Sequence, residues 1–227
     1  MKRTVRAAFR ATIPVLMGYL AIGIAFGLMM DAAGYSLLLT VLMSVTIYAG
    51  AGQYLGVSLL VAGASPVQTA LLTLLVNFRH MFYGLSMLEK FHGMGLRKLY
   101  MIFSLTDETY ALLSSARAPE GVPEKDYYLA IALLDHSYWI IGSALGFLLG
   151  SALSINTTGV DFAMTALFVV IAVGQWRGTK NHLPAAIGCL ATLLSLQLVG
   201  KDNMLILALA MIAALLLALQ RRMPADE

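Results

Sequence analysis

Charge is scarce in this chain: Asp, Glu, Lys and Arg make up 12% of its 227 residues, against about 25% in ordinary soluble domains. A water-exposed globular surface cannot be built from so few charges. Cysteine is reduced to Cys189, which excludes an intrachain disulfide and offers no metal-ligand spacing. There is no His-Glu-x-x-His, no Gly-x-x-x-x-Gly-Lys phosphate loop and no Gly-x-Ser-x-Gly nucleophile elbow. Neither a metal nor a cofactor is therefore expected, and the chain is not read as an enzyme. The net charge is only +3, and the basic residues fall at the ends of apolar runs. They read as determinants of membrane topology, and nucleic acid is not expected as a partner.

Hydrophobicity is what the chain has in abundance, with 59% apolar residues and a mean hydropathy of +0.81. This is the composition of an integral membrane protein, with length for about six to eight spans of ~20 residues and no separate soluble domain. Lys2, Arg3, Arg6 and Arg10 precede a charge-free run from Ala11 to Met30. That run is too long for a signal peptide and reads as a retained first span. Further apolar runs lie at about Ser36 to Val61, Pro66 to Leu88, Leu99 to Ala116, Tyr127 to Leu153, Phe162 to Trp176, Leu183 to Gly200 and Asn203 to Gln220. The expected fold is thus an all-α polytopic membrane protein of about 7–8 segments.

If every segment crosses and the amino terminus is cytoplasmic, the inner side collects the four amino-terminal cations, Arg117, Lys125, Arg177, Lys180, Arg221 and Arg222. Lys90, Arg97, Lys98 and Lys201 would lie outside, a bias that favours this orientation. A segment that only dips in would invert everything after it. Ser36 to Val61, with Gly50, Gly52 and Gly56, and the short Phe162 to Trp176 are the candidates.

Three landmarks recur in the same order at nearly one offset. Gly23-x-x-x-Gly27 returns as Gly142-x-x-x-Gly146, Gly52-Gln53-Tyr54 as Gly174-Gln175-Trp176, and Pro66 as Pro184. Many transporters are built from two related halves with the substrate site between them. The reading is one transmembrane domain over residues 1–227, with a first repeat at 11–88, a linking segment at 97–117, a second repeat at 127–200 and a final helix at 203–220. For the glycine pairs alone, close helix packing is the simpler explanation. Gly50 and Gly52 can also break a helix, which is tolerated where protein or a watery cavity satisfies the freed backbone. Gln53 beside that break is a candidate site residue. Gln175 is another, although its neighbours Trp176 and Arg177 also suit a membrane interface.

Arg79 interrupts a stretch with no Asp, Glu, Lys or Arg from Ala32 to Phe78. Counting from the flanking charges places Arg79, Asp107 or Glu108, and Asp135 with His136 at similar depth, roughly 14 Å along their helices at ~1.5 Å per residue. A charge at such depth costs roughly 2.5 to 3.5 kcal/mol, so these groups face the bundle interior and find partners. Arg79 is expected to pair with Asp107 or Glu108. Adjacent helical residues point about 100° apart, so one of the two carboxylates is left over. Three carboxylates against one guanidinium, with His80 and His136 nearby and Asn77 on the same stretch, make a candidate proton or cation site. The alternatives are a polar network that only glues helices, as in a membrane scaffold or assembly subunit, and an intramembrane enzyme.

Taken together, several motifs resemble the AzlC-like large subunits of branched-chain amino-acid exporters. They are Pro14 with Gly18-Tyr19 and Gly23-x-x-x-Gly27, Tyr48-Ala49-Gly50-Ala51-Gly52-Gln53, Asn77-Phe78-Arg79-His80 with Tyr83-Gly84, and Thr106-Asp107-Glu108-Thr109-Tyr110. The resemblance implies a bacterial inner-membrane protein that exports branched-chain or similar amino acids, working with a small AzlD-like membrane subunit. The physics of the residues adds a mechanism, alternating access about a midplane site. Arg79 or a broken-helix amino terminus would take the substrate carboxylate, and Asp107, Glu108 or Asp135 the ammonium. A spare carboxyl would carry a coupling proton.

Overall fold

The computed structural model describes residues 2–153, 169, 173, 176–177 and 182–219. Every described element is helical. They are α1 (Lys2–Ala32), α2 (Leu37–Thr46), α3 (Gly50–Val61), α4 (Pro66–Asn77), α5 (Arg79–Ser86), α6 (Arg97–Phe103), α7 (Asp107–Ser115), α8 (Glu124–Leu153) and α9 (Leu183–Leu219). The chain divides into two units, Met1–Leu167 and Phe168–Glu227. Helices α1 and α8 and the stretch Leu183–Gly200 are long and apolar enough to cross a membrane.

The frame of the first unit is the pair α1 and α8. Gly23 lies against Gly142 and Ser143, Gly27 against Ser143 and Gly146, and Gly150 beneath Asp31. Contacts advance together along both chains, so the two helices run parallel. A Cβ at Gly27 would overlap the Ser143 carbonyl, and one at Gly146 would overlap the Ile24 carbonyl. The two Gly-x-x-x-Gly motifs are therefore the two faces of one close helix crossing.

Two of the expected spans are broken into hairpins, and the first of them, Ser36 to Val61, is the one its glycines marked as able to dip in. In Ser36 to Val61 the helix stops at Thr46 and restarts at Gly50, with Tyr48 between them in the left-handed region at φ 43. Gln53 donates to Ser44 Oγ at 3.3 Å, and Gly56 faces the Met43 side chain. These pairs spread outward from the turn, as in a hairpin. Ser36 caps α2 by accepting from Leu39 N at 3.2 Å.

Leu99 to Ala116 is a second hairpin. Along α6 the contacts follow α8 in the same direction, Arg97 to Asp126 at 2.8 Å and then Tyr100 and Phe103 to His136. Along α7 they run backwards, Thr109 to Asp135 and then Ala116 to Tyr128. The loop before α6 and the loop after α7 consequently sit at one end. Lys125 Nζ donates to the Gly93 carbonyl at 3.0 Å, and Lys90 Nζ donates to the carbonyls of Leu113 and Ala116. Burial holds the Lys90 ammonium below the usual lysine range, partly offset by Glu124. Ala8 of α1, Phe91, Val122 and Tyr128 share one buried cluster there.

This corrects the expected arrangement of charges, which put Lys90, Arg97 and Lys98 opposite the amino terminus. All three lie at the end that also carries the start of α1, Arg117 and Lys125. Hydropathy counts apolar length and is blind to a reversal inside it. The reversal comes from Tyr48 to Gly50 in one hairpin and from Ser104 to Thr106 in the other, where Thr106 caps α7 by accepting from Thr109 N at 3.2 Å. Between the hairpins, α4 and α5 form the connecting limb; Phe78 keeps helical angles of φ −55 and ψ −33. Ser65 caps it and Pro66 occupies its first position. Two dips cancel, which is why α1 and α8 point the same way.

In the second unit α9 breaks at Gly200, whose φ of 73 and ψ of −178 suit a residue without a side chain. Ser195 Oγ meets Met211 Sδ across this break at 3.5 Å. Gln175 lies outside the described residues.

Candidate functional site

The two hairpin tips approach each other from opposite ends of the unit and meet between α1 and α8. Tyr48 at one tip stacks on His136 of α8 with ring centroids 4.1 Å apart and touches Phe103 beside the other tip at 6.3 Å. Tyr19 of α1 meets Tyr48 edge-on at 6.3 Å and hydrogen-bonds Thr106. Broken helices facing one another inside protein place backbone ends and polar side chains at one depth.

The ionisable groups divide into two sets. In the first, Arg79 Nη2 binds Asp107 Oδ2 at 2.9 Å, and Tyr83 donates to Asp107 Oδ1 at 2.7 Å. Both carboxylate oxygens of Asp107 are thus engaged. Arg79 and Asp107 are about a quarter to a third exposed, at 27% and 30%. His80 donates from Nδ1 to the Asn77 carbonyl at 3.0 Å and lies edge-on to Tyr83, so it stays with this set. Asn77 reaches towards α3, where only the missing side chain of Gly52 leaves room: a Cβ there would stand 2.6 Å from Asn77 Nδ2. Asn77 Oδ1 and Arg79 Nε are buried without a partner.

The second set surrounds Asp135, which is 0% exposed. Its Oδ2 accepts from Thr109 Oγ1 at 3.0 Å, while Oδ1 has no partner. The Tyr48 hydroxyl is likewise buried and unpartnered. His136 is fully engaged: Nε2 lies 3.1 Å from the Ser44 carbonyl and must donate to it, so Nδ1 accepts from the Tyr100 hydroxyl at 3.0 Å in the neutral ring. Glu108 forms no ion pair with Arg79, accepts from Tyr19 at 3.1 Å and is exposed.

Gln53 serves as a clamp. Its oxygen accepts from Trp139 Nε1 at 2.8 Å while its nitrogen donates to Ser44, tying both arms of the first hairpin to α8. Gly50 opens α3 against the Trp139 ring. Ala49, the cap residue of α3, has no side-chain acceptor to offer, and the first turn holds no acid. The first N–H groups of α3 therefore face the tip region without a side-chain cap. In α7, by contrast, Asp107 and Glu108 already sit in the first turn and offset its dipole.

Depth counting brought Arg79, Asp107, Glu108, Asp135 and His136 to one level, and all five lie around the two tips. It missed Tyr19, Tyr48, Tyr83, Thr106 and Thr109. These are uncharged, and the signal available for them was their place in the quoted motifs.

Two broken-helix hairpins meeting beside the buried Asp135 describe an all-helical polytopic membrane protein with polar groups gathered at the hairpin tips. Residues 14–153 match the AzlC protein family, and the chain belongs to it. It is 39% identical over 222 residues to the branched-chain amino acid transport protein AzlC of Bacillus subtilis, covering 98% of this chain and 87% of that protein. An uncharacterized membrane protein of Helicobacter pylori is 41% identical over 216 residues, 95% of each chain. The inner membrane protein YgaZ of Escherichia coli is 29% identical over 189 residues, 79% of this chain and 77% of that one. No solved structure matches the chain. Its role is membrane transport.

Proposed function

We propose that the chain exports branched-chain or similar apolar amino acids from the cytoplasm by alternating access around Asp135. The observation that carries this reading is the Asp135 carboxylate, fully buried with one oxygen lacking a donor. A buried acceptor of that kind suits a substrate ammonium, because the charge-assisted hydrogen bond offsets its desolvation. The amino terminus of α3, two residues beyond Tyr48 and without a side-chain cap, suits the substrate carboxylate. The apolar side chain would rest among Tyr19, Tyr48 and Trp139, which already pack together.

Alternation follows from the hairpins. α2 and α3 reach the site from one end and α6 and α7 from the other, so withdrawing one tip opens Asp135 to one side while the other tip keeps it closed. The Arg79–Asp107 pair and Tyr83 tie α5 to the second hairpin and would set its position. A coupling proton would use a carboxylate left free by this pairing.

The gathering of basic residues at the end holding the start of α1 supports a cytoplasmic amino terminus in a bacterial inner membrane. A small AzlD-like membrane subunit is the proposed partner, tested by co-purification from detergent with the full chain. Export of labelled leucine, valine and methionine from cells expressing the chain, against cells carrying Asp135→Asn at equal protein level, tests the central reading. Loss of export is expected; undiminished export would refute it.

A further inference from the structure

A continuous line of oxygens joins the exposed carboxylate to the buried one. Glu108 Oε2 lies 3.1 Å from the Tyr19 hydroxyl, which meets Thr106 Oγ1. Thr106 Oγ1 is 3.1 Å from Thr109 Oγ1, which is 3.0 Å from Asp135 Oδ2. Side chains from α1, α7 and its cap, and α8 supply this line, and Thr106 and Thr109 are buried.

Counting protons decides what the line can do. It has four oxygen-to-oxygen links, Glu108–Tyr19, Tyr19–Thr106, Thr106–Thr109 and Thr109–Asp135. Each link needs one proton, and each of the three hydroxyls brings one. If both carboxylates are ionised, one link has no proton and two oxygen lone pairs face each other. One further proton, on either carboxyl, fills all four. The unpartnered Asp135 Oδ1 is an independent sign: a buried carboxylate oxygen without a donor carries a desolvation cost that a proton or a cation removes.

We propose that Glu108 and Asp135 share one exchangeable proton through the hydroxyl relay Tyr19–Thr106–Thr109. This rests on the transport reading and gives it a coupling route. When a substrate ammonium arrives at Asp135, the proton leaves Asp135 for Thr109, each hydroxyl passes its own proton one link onward, and Glu108 receives one at the exposed end. The return of substrate to solution reverses the line. No atom is gained or lost and nothing is oxidised. Substrate and proton thereby compete for one carboxylate, the condition for exchanging one against the other.

The other ionisable neighbours, Tyr48 excepted, are occupied. Arg79 and Asp107 hold each other, and both ring nitrogens of His136 are taken by Ser44 and Tyr100. Tyr138 of α8 pairs with Thr12 at 2.9 Å, and Tyr48 contributes an unpartnered hydroxyl.

The test is infrared spectroscopy of the purified full chain near neutral pH, read at the carbonyl stretch of a protonated carboxylic acid. Wild type should show that band. Glu108→Gln supplies an amide N–H in place of the shared proton, fills every link and should remove the band; Asp135→Asn should do the same from the other end. Thr109→Val cuts the relay at little change of shape, so it should keep the band, and adding Glu108→Gln should then no longer remove it. A wild-type protein without the band, a band surviving both single amide variants, or a Thr109→Val protein still sensitive to Glu108→Gln would overturn the proposal. The spectra need no transport. A protein that behaves as expected in the infrared but moves no labelled branched-chain amino acid would refute the transport reading and leave the shared proton standing.

Discussion

Arg79 holds Asp107 at 2.9 Å from α5 to the first turn of α7, and Tyr83, one helical turn beyond Arg79, closes the other oxygen of Asp107 at 2.7 Å. The contact fastens the second hairpin to the connecting limb. Removing either charge strands the other at mid-depth, which costs more than the pair is worth. Arg79→Ala and Asp107→Asn should each lower export of labelled leucine at least about tenfold at matched protein level, the equivalent of ~1.4 kcal/mol. Tyr83→Phe, which removes one neutral donor, should have a smaller effect.

The crossing of α1 and α8 is the least forgiving contact in the first unit. Gly27→Ala and Gly146→Ala push a methyl group into facing backbone, and overpacking of this kind costs typically 1–3 kcal/mol. Lower yields and a lower unfolding midpoint in detergent are expected for both. Gly18→Ala in the same helix meets nothing within 4 Å and should leave both measurements unchanged.

Topology can be read with single cysteines. In a Cys189→Ser background, cysteines at Lys90 and Lys125 should react with an impermeant thiol reagent from the same side of the membrane, because Lys125 reaches the Gly93 carbonyl. Labelling from opposite sides would mean that Leu99 to Ala116 crosses.

Gln53→Leu should destabilise the first hairpin by about 1–3 kcal/mol, since the buried indole N–H of Trp139 loses its acceptor. Thermal unfolding of the purified protein measures this. Gln53→Glu keeps the acceptor and should be milder if the carboxyl is protonated.

The sequence carried the membrane class, the apolar segments and the charged residues that gather at the hairpin tips, because hydropathy and isolated charges in apolar runs are strong local signals. The glycines of Ser36 to Val61 marked that segment as one that could dip in, but nothing marked Leu99 to Ala116, so the direction of the chain was legible only in part. Ser36 to Val61 and Leu99 to Ala116 have the length of crossing spans, and their reversal depends on a left-handed Tyr48 and on Thr106 acting as a cap in mid-segment, events of two or three residues. The glycine pairs were legible as a repeat, yet their meaning as one interface needed both helices in place. Tyr19, Thr106 and Thr109 were hidden for another reason: a hydroxyl in an apolar run costs little and draws no notice until its partners are known.

The account stands most directly on Asp135. In right-side-out membrane vesicles loaded with labelled leucine, efflux from wild type should exceed efflux from Asp135→Asn by about 10- to 100-fold, the range expected when a charge-assisted hydrogen bond of about 1.5–3 kcal/mol is lost. Equal efflux at equal amounts of protein in the membrane would contradict it.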